Sequence, residues 1–117
     1  MTYRIERFNS HLRHEISDLI QFHIKDPRLG TVVSVTSVEV TPDLRHARVR
    51  ISRMGTDEEK RQTIEALVSA AGYIRHQLGD RMKSRHIPEL TFKLDETIEK
   101  ADRVLRMIDR ISEESTQ

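Results

Sequence analysis

A local excess of positive charge falls between Gly72 and Arg85, where Arg75, Arg81, Lys83 and Arg85 are opposed only by Asp80 and accompanied by His76. On a helix, Gly72, His76, Gly79 and Lys83 share one stripe, with Arg75 on its flank, well away from the apolar face centred on Ile74 and Leu78. Glycine removes side-chain bulk and cations neutralise phosphates, so a nucleic-acid backbone could approach closely along that stripe. The same residues also suit a solvated helix face whose glycines admit a neighbouring helix. Two further arginines, Arg48 and Arg50, alternate with Ala47, Val49 and Ile51. They either pair with Glu39 across a sheet or offer a second RNA surface. Arg28 follows Pro27 in a loop, where it can meet a phosphate or bond the last carbonyls of the preceding helix. Tyr73 is the one aromatic near the basic stretch. Recognition should therefore rest on backbone and shape, with low sequence specificity.

Catalytic constellations are missing from the pattern. His11, His14 and Glu15 fall on one predicted helix, but no third histidine or cysteine completes a metal site and the His-Glu-Xaa-Xaa-His order is absent. Neither a phosphate-binding P-loop nor a Gly-Xaa-Ser-Xaa-Gly elbow occurs. The expectation is a protein without catalytic residues, metal or cofactor, its six histidines doing ordinary surface work.

The elements that position these residues follow from periodicity. Ile5, Phe8, Leu12, Ile16, Leu19, Ile20 and Ile24 recur at helical spacing and predict a helix from Tyr3 to Lys25, stopped by Asp26-Pro27-Arg28-Leu29-Gly30. Thr31 to Thr41 predicts a strand whose alternation changes phase near Thr36, the mark of a bulge or strong twist. Pro42-Asp43 has turn chemistry, and the strand after it buries Ala47, Val49 and Ile51 while showing Arg48 and Arg50. Thr56-Asp57-Glu58-Glu59 fits a capping box opening a second helix that continues to about Arg85, with a kink expected near Gly72. Leu90, Phe92 and Leu94 mark a third strand. Ile98, Ala101, Leu105, Ile108 and Ile111 mark a final amphipathic helix before a frayed tail from Ser112. The order α-β-β-α-β-α predicts an α+β layer, with all helices on one face of a three-stranded sheet, the third strand parallel to the second, and the other face open.

A chain of 117 residues with 36% hydrophobic content supports one core, hence one domain over residues 1–111 with a short polar tail over 112–117. No stretch reaches the roughly 18 apolar residues of a membrane span, and the charged N-terminus lacks a secretory core, so a cytoplasmic location is expected. Absence of cysteine leaves packing alone to hold the fold. The formal net charge of +1 conceals an uneven distribution: nine Lys/Arg against six Asp/Glu up to Thr56, and five against eight after Pro88.

Four segments carry a resemblance. Ile24-Lys25-Asp26-Pro27-Arg28-Leu29-Gly30, Val38-Glu39-Val40-Thr41-Pro42-Asp43-Leu44-Arg45-His46-Ala47-Arg48-Val49, Ala70-Ala71-Gly72-Tyr73-Ile74-Arg75 and Arg85-His86-Ile87-Pro88-Glu89-Leu90-Thr91-Phe92 together resemble the ribosome-binding factor A family, from about Arg4 to Val104. The resemblance implies a type II KH-like fold in which a kinked helix at Ala-Xaa-Gly, here Ala70-Ala71-Gly72, replaces the usual Gly-Xaa-Xaa-Gly loop. It implies a monomeric, non-enzymatic assembly factor that binds the free small ribosomal subunit and its rRNA and assists late maturation, including 5′-region processing. A ribosome-associated GTPase is a candidate second partner. Arg28, Arg48, Arg50, Gly72, Arg75, His76, Arg81, Lys83 and Arg85 are then the candidate RNA-binding residues. Some relatives continue into a longer polar extension, which this short tail lacks. A protein-interaction module using a helix face is the competing class, and a zinc-dependent hydrolase the third.

Overall fold

The first helix, α1 (Thr2–Phe22), exists because its apolar residues fall on one side: Leu12, Ile16, Leu19 and Ile20 are all buried. The computed structural model of the chain describes residues 2–30 and 33–115. Helix α1 ends three residues earlier than the periodicity predicts, with the amides of His23 and Ile24 both closing on the Leu19 carbonyl. Asp26 then caps a single 3-10 turn over Pro27–Leu29, accepting from the Arg28 amide at 2.9 Å. Gly30, at φ 74, takes the left-handed turn that a side chain would resist.

Strands β1 (Val33–Val40) and β2 (His46–Arg53) form an antiparallel pair. Their register passes from Val35↔Ile51 to Ser37↔Arg50, so Thr36 is an extra residue and the expected change of phase is a bulge. Its effect is to return Val35, Val38 and Val40 to the same buried face. Thr31 and Val32, which the sequence assigns to this strand, lie outside the described residues.

Helix α2 (Asp57–Met82) opens with both halves of the capping box: Glu59 donates its amide to the Thr56 hydroxyl at 3.1 Å, and the Thr56 amide donates to the Glu59 carboxylate at 2.9 Å. Thr63, Ala66, Leu67, Ile74 and Leu78 face the sheet. The buried Thr63 hydroxyl donates toward the Arg28 carbonyl at 2.9 Å, tying the loop after α1 to α2. Strand β3 (Glu89–Leu94) returns parallel to β2, giving the order β1-β2-β3.

Helices α1 and α2 cover one face of the sheet and leave the other open, as expected. The last helix, α3 (Thr97–Ser115), departs from expectation twice. It continues past Ser112, and every side chain from Ala101 to Glu113 is exposed, so Leu105, Ile108 and Ile111 do not join the core. The sheet's covered face is already filled by α1 and α2. The base of α3 is held by Lys60, which donates to Glu99 at 2.6 Å, and by Asp95, which accepts from the Thr97 amide at 3.0 Å. The apolar role expected of the Ile98 side chain, and Thr116 and Gln117, lie outside what is described. Among the described residues no helix is long and apolar enough to cross a membrane.

A pair of truncations separates the core from this projecting helix. Leu67 is fully buried whereas Leu105 is 60% exposed. In urea titrations, Leu67→Ala should cost about 2–5 kcal/mol and Leu105→Ala no more than about 0.5 kcal/mol.

Candidate nucleic-acid interface

The second half of α2 brings together most of the basic residues singled out in the sequence, but it does not leave them all free. Gly72 is exposed, and a Cβ added there would meet nothing within 4 Å, so its surface is open to a partner. Gly79 differs: a Cβ would stand 3.3 Å from the Ser84 carbonyl. That carbonyl is close because the chain folds back at the helix end, where the Ser84 amide donates to Gly79 O at 3.1 Å and Lys83 adopts φ 51. Gly79 therefore serves the helix terminus, and only Gly72 is smallness turned outward.

The cations divide in the same way. Arg81 donates to Asp18 at 2.7 Å and to Glu15 at 3.0 Å, bolting α2 to α1. The bond to Arg81 is the main reason the Asp18 carboxyl lies below its usual range, and the bond to Asp18 is the main reason the Arg81 guanidinium is raised. Arg75 donates to the Ile87 carbonyl at 2.9 Å, steadying the segment that leads into β3 while staying exposed. His76 stands 3.8 Å from Asp80. Lys83 and Arg85 are exposed and form no ion pair among the described residues.

Within the chain, Arg28 bonds a carboxylate and not the last carbonyls of α1. Its guanidinium grips the Asp26 carboxylate, with Nη2 at 2.8 Å from Oδ2 and Nε at 3.1 Å from Oδ1, closing the 3-10 turn on itself. Hydrogen bonding to Arg28 holds the Asp26 carboxyl below its ordinary range. On the open sheet face, Arg48 lies 3.8 Å from Glu39, a loose exposed pair, while Arg50 makes no direct bond and senses Asp95 at longer range. Lys93 escaped the sequence reading as a site residue, yet the alternation of β3 could have found it: the register sets it directly beside Arg50. Among the described residues no three metal-binding side chains converge.

A family model described as Ribosome-binding factor A matches residues 4–108. The chain belongs to this family. A ribosome-binding factor A from Caldanaerobacter subterraneus subsp. tengcongensis is 46% identical over 114 residues, covering 97% of this chain and 93% of the relative. The solution NMR structure of a Thermotoga maritima protein superposes with a TM-score of 0.71 at 31% identity, covering 80% of this chain and 88% of that one. A Thermus thermophilus ribosome-binding factor A homology model, fitted into a cryo-electron microscopy map of a 30S complex, shares the fold at a TM-score of 0.62 and 24% identity, covering 74% of this chain and 90% of that one. Within the ribosome-binding factor A match, Ala70, Ala71 and Gly72 sit at the middle of α2.

Two experiments test these assignments. Arg81→Ala removes the bond between α2 and α1 and leaves Glu15 to its pair with His11 and Asp18 to its pair with His23, so its thermal midpoint should fall; Lys83→Gly relieves a left-handed lysine and should raise the midpoint. The second experiment concerns Asp95, held at a pKa of about 2 first by the Thr97 hydroxyl, then by the Thr36 hydroxyl and the Thr97 amide. A carboxyl lowered on folding stabilises the native state above its unfolded pKa and loses that contribution as pH falls through the native one. The stability gap between wild type and Asp95→Ala should therefore be full above roughly pH 4 and close toward about pH 2 in urea titrations.

Proposed function

We propose that this chain is a non-catalytic RNA-binding factor that docks on the free small ribosomal subunit in the cytoplasm and assists late maturation of its rRNA, including the 5′ region. The observation that carries this reading is a run of exposed basic residues along the second half of α2, from Arg75 and His76 next to the outward-facing Gly72 to Lys83 and Arg85, unpaired among the described residues, at its end, on a chain of the ribosome-binding factor A family. The 30S complex described for the Thermus thermophilus relative supports the choice of partner.

In this reading Gly72 is the point of closest RNA approach, within the kinked helix proposed at Ala70-Ala71-Gly72. Arg75, His76, Lys83 and Arg85 neutralise phosphates around it. Arg48 and Arg50 belong to the other side of the sheet. Arg28 and Arg81 act through the fold, since carboxylates already occupy their guanidinium groups. Affinity then comes chiefly from backbone charge and shape, with Tyr73 the one exposed Phe, Tyr or Trp ring beside Gly72. A ribosome-associated GTPase is the proposed second partner, acting at release.

Sedimentation of lysate tests the docking: the protein should travel with free small subunits and not with translating ribosomes. Salt titrations on isolated subunits test the surface. Lys83→Gln with Arg85→Gln should weaken binding and lower the slope of log K against log salt by about one unit per lost contact. An unchanged slope and affinity remove this face from the interface. Gly72→Leu projects into open space, so it should fold at least as stably as wild type, gaining up to about 1 kcal/mol in helix propensity, while binding subunits less tightly.

A further inference from the structure

The open face of the sheet is organised in rows, because parallel and antiparallel registers fix which side chains stand abreast. One row runs Glu39, Arg48, Thr91, and its arginine has the glutamate 3.8 Å away. Another pairs His46 with Glu89, also at 3.8 Å. The row between β1's Ser37, β2's Arg50 and β3's Lys93 is different: it sets two cations directly side by side on strands about 4.8 Å apart. Like charges directly opposite each other destabilise a sheet. No hydrogen bond or ion pair among the described residues relieves either one.

The nearby acids only partly offset this charge. Asp95 attracts Arg50 at longer range while its oxygens accept from the Thr36 hydroxyl at 2.8 Å and the Thr97 amide at 3.0 Å, which fastens α3 to the bulge of β1. Lys100, from the first turns of α3, comes to the same place. Arg48, Arg50, Lys93 and Lys100 together line a shallow depression of about 420 Å³, whose acidic margin is Asp95 and Glu96. The remaining outward residues of this face, Ser34, Ser37, Ser52 and Thr91, are small hydroxyls. With no Phe, Tyr or Trp on it, the face is suited less to stacking bases than to binding and hydrogen-bonding an extended chain of phosphates.

We propose that the open sheet face is a second polyphosphate site, centred on Arg50, Lys93 and Lys100, through which the protein holds one RNA segment while the α2 surface holds another. The proposal rests on the RNA-binding reading above and deepens it: a single-domain factor becomes a bridge between two RNA elements. Helices α1 and α2 fill the opposite side of the sheet, so the two sites do not compete for one strand. The Arg50–Lys93 repulsion, only partly offset by Asp95, is then a cost carried in the free protein and removed when phosphate enters between the two cations.

The test uses the full chain and short uridine oligoribonucleotides, half labelled with a donor fluorophore and half with an acceptor. Wild type should bring donor and acceptor together, giving energy transfer that peaks near two oligonucleotides per protein and vanishes at high salt. Arg50→Gln with Lys93→Gln and Lys100→Gln should abolish the transfer and lower the salt slope by about two units, at roughly 0.7 per lost single-strand contact, while retaining binding that depends on Lys83 and Arg85. Lys93→Glu is the control for folding: it replaces the repulsion with an ion pair, so it should melt no lower than wild type at low salt and still lose the transfer. If the sheet variants keep wild-type transfer and slope, the second site is wrong and the α2 reading stands. If wild type binds no RNA, both fall. If polyglutamate occupies the sheet face as tightly as the oligonucleotide, the surface is one for acidic protein, and the RNA bridge is overturned.

Discussion

The molecule depends on the two-residue period of β2. This central strand is hydrogen-bonded to neighbours on both sides, so its register is fixed twice, antiparallel to β1 and parallel to β3. Ala47, Val49 and Ile51 are almost wholly removed from solvent beneath α1 and α2, while Arg48 and Arg50 stand on the other face. A slip of one residue would bury two arginines and expose the centre of the core. The same constraint that builds the fold therefore holds a basic surface in place, since neither arginine can turn inward without dismantling the sheet.

Where the chain could be read from sequence, the governing interactions were local. The capping box at Thr56 and Glu59 spans three residues. The bulge at Thr36 shows as a break in alternation, and the alternation of Leu90, Phe92 and Leu94 is enough to define β3. What could not be read was decided by partners distant in sequence. Nothing near Arg81 marks it as the bolt to Glu15 and Asp18, more than sixty positions upstream, so it looked like any other cation of the basic stretch. Arg28 was ambiguous for a different reason: a phosphate and the last carbonyls of α1 were both open to it, and within the chain its guanidinium bonds the carboxylate two residues away. The exposed course of α3 was equally hidden. Its apolar periodicity announces a face but not what covers it, and the sheet had already been covered.

These pairings separate two kinds of basic residue that composition treats as one. Cations whose hydrogen bonds are met within the chain carry rigidity: Arg81 joins two helices, Arg28 closes a turn, and Lys60 roots α3 through Glu99. Cations left over carry the surface field. Because long-range attraction to phosphate is additive in unpaired charge, the candidate interface is defined less by where arginines occur than by where carboxylates fail to reach them.

Lys83 shows how far that logic extends into the backbone. It occupies the left-handed position after α2, where glycine fits without strain and a side chain costs on the order of 1 kcal/mol. The two residues around the end of this helix thus invert the usual arrangement: Gly79 sits within the last turn, where the returning Ser84 carbonyl demands a small residue, and the lysine sits where glycine would be most comfortable. A strained conformation persists only when the surrounding structure enforces it, and here the Gly79 carbonyl, receiving the amides of both Lys83 and Ser84, does so. The result is an ammonium group projected from a fixed backbone beside Arg85, near the basic stripe that begins at Gly72. Stability is given up at the helix terminus where a charged side chain stands in place of glycine, so the position of this charge is set by its backbone while its flexible stem stays exposed.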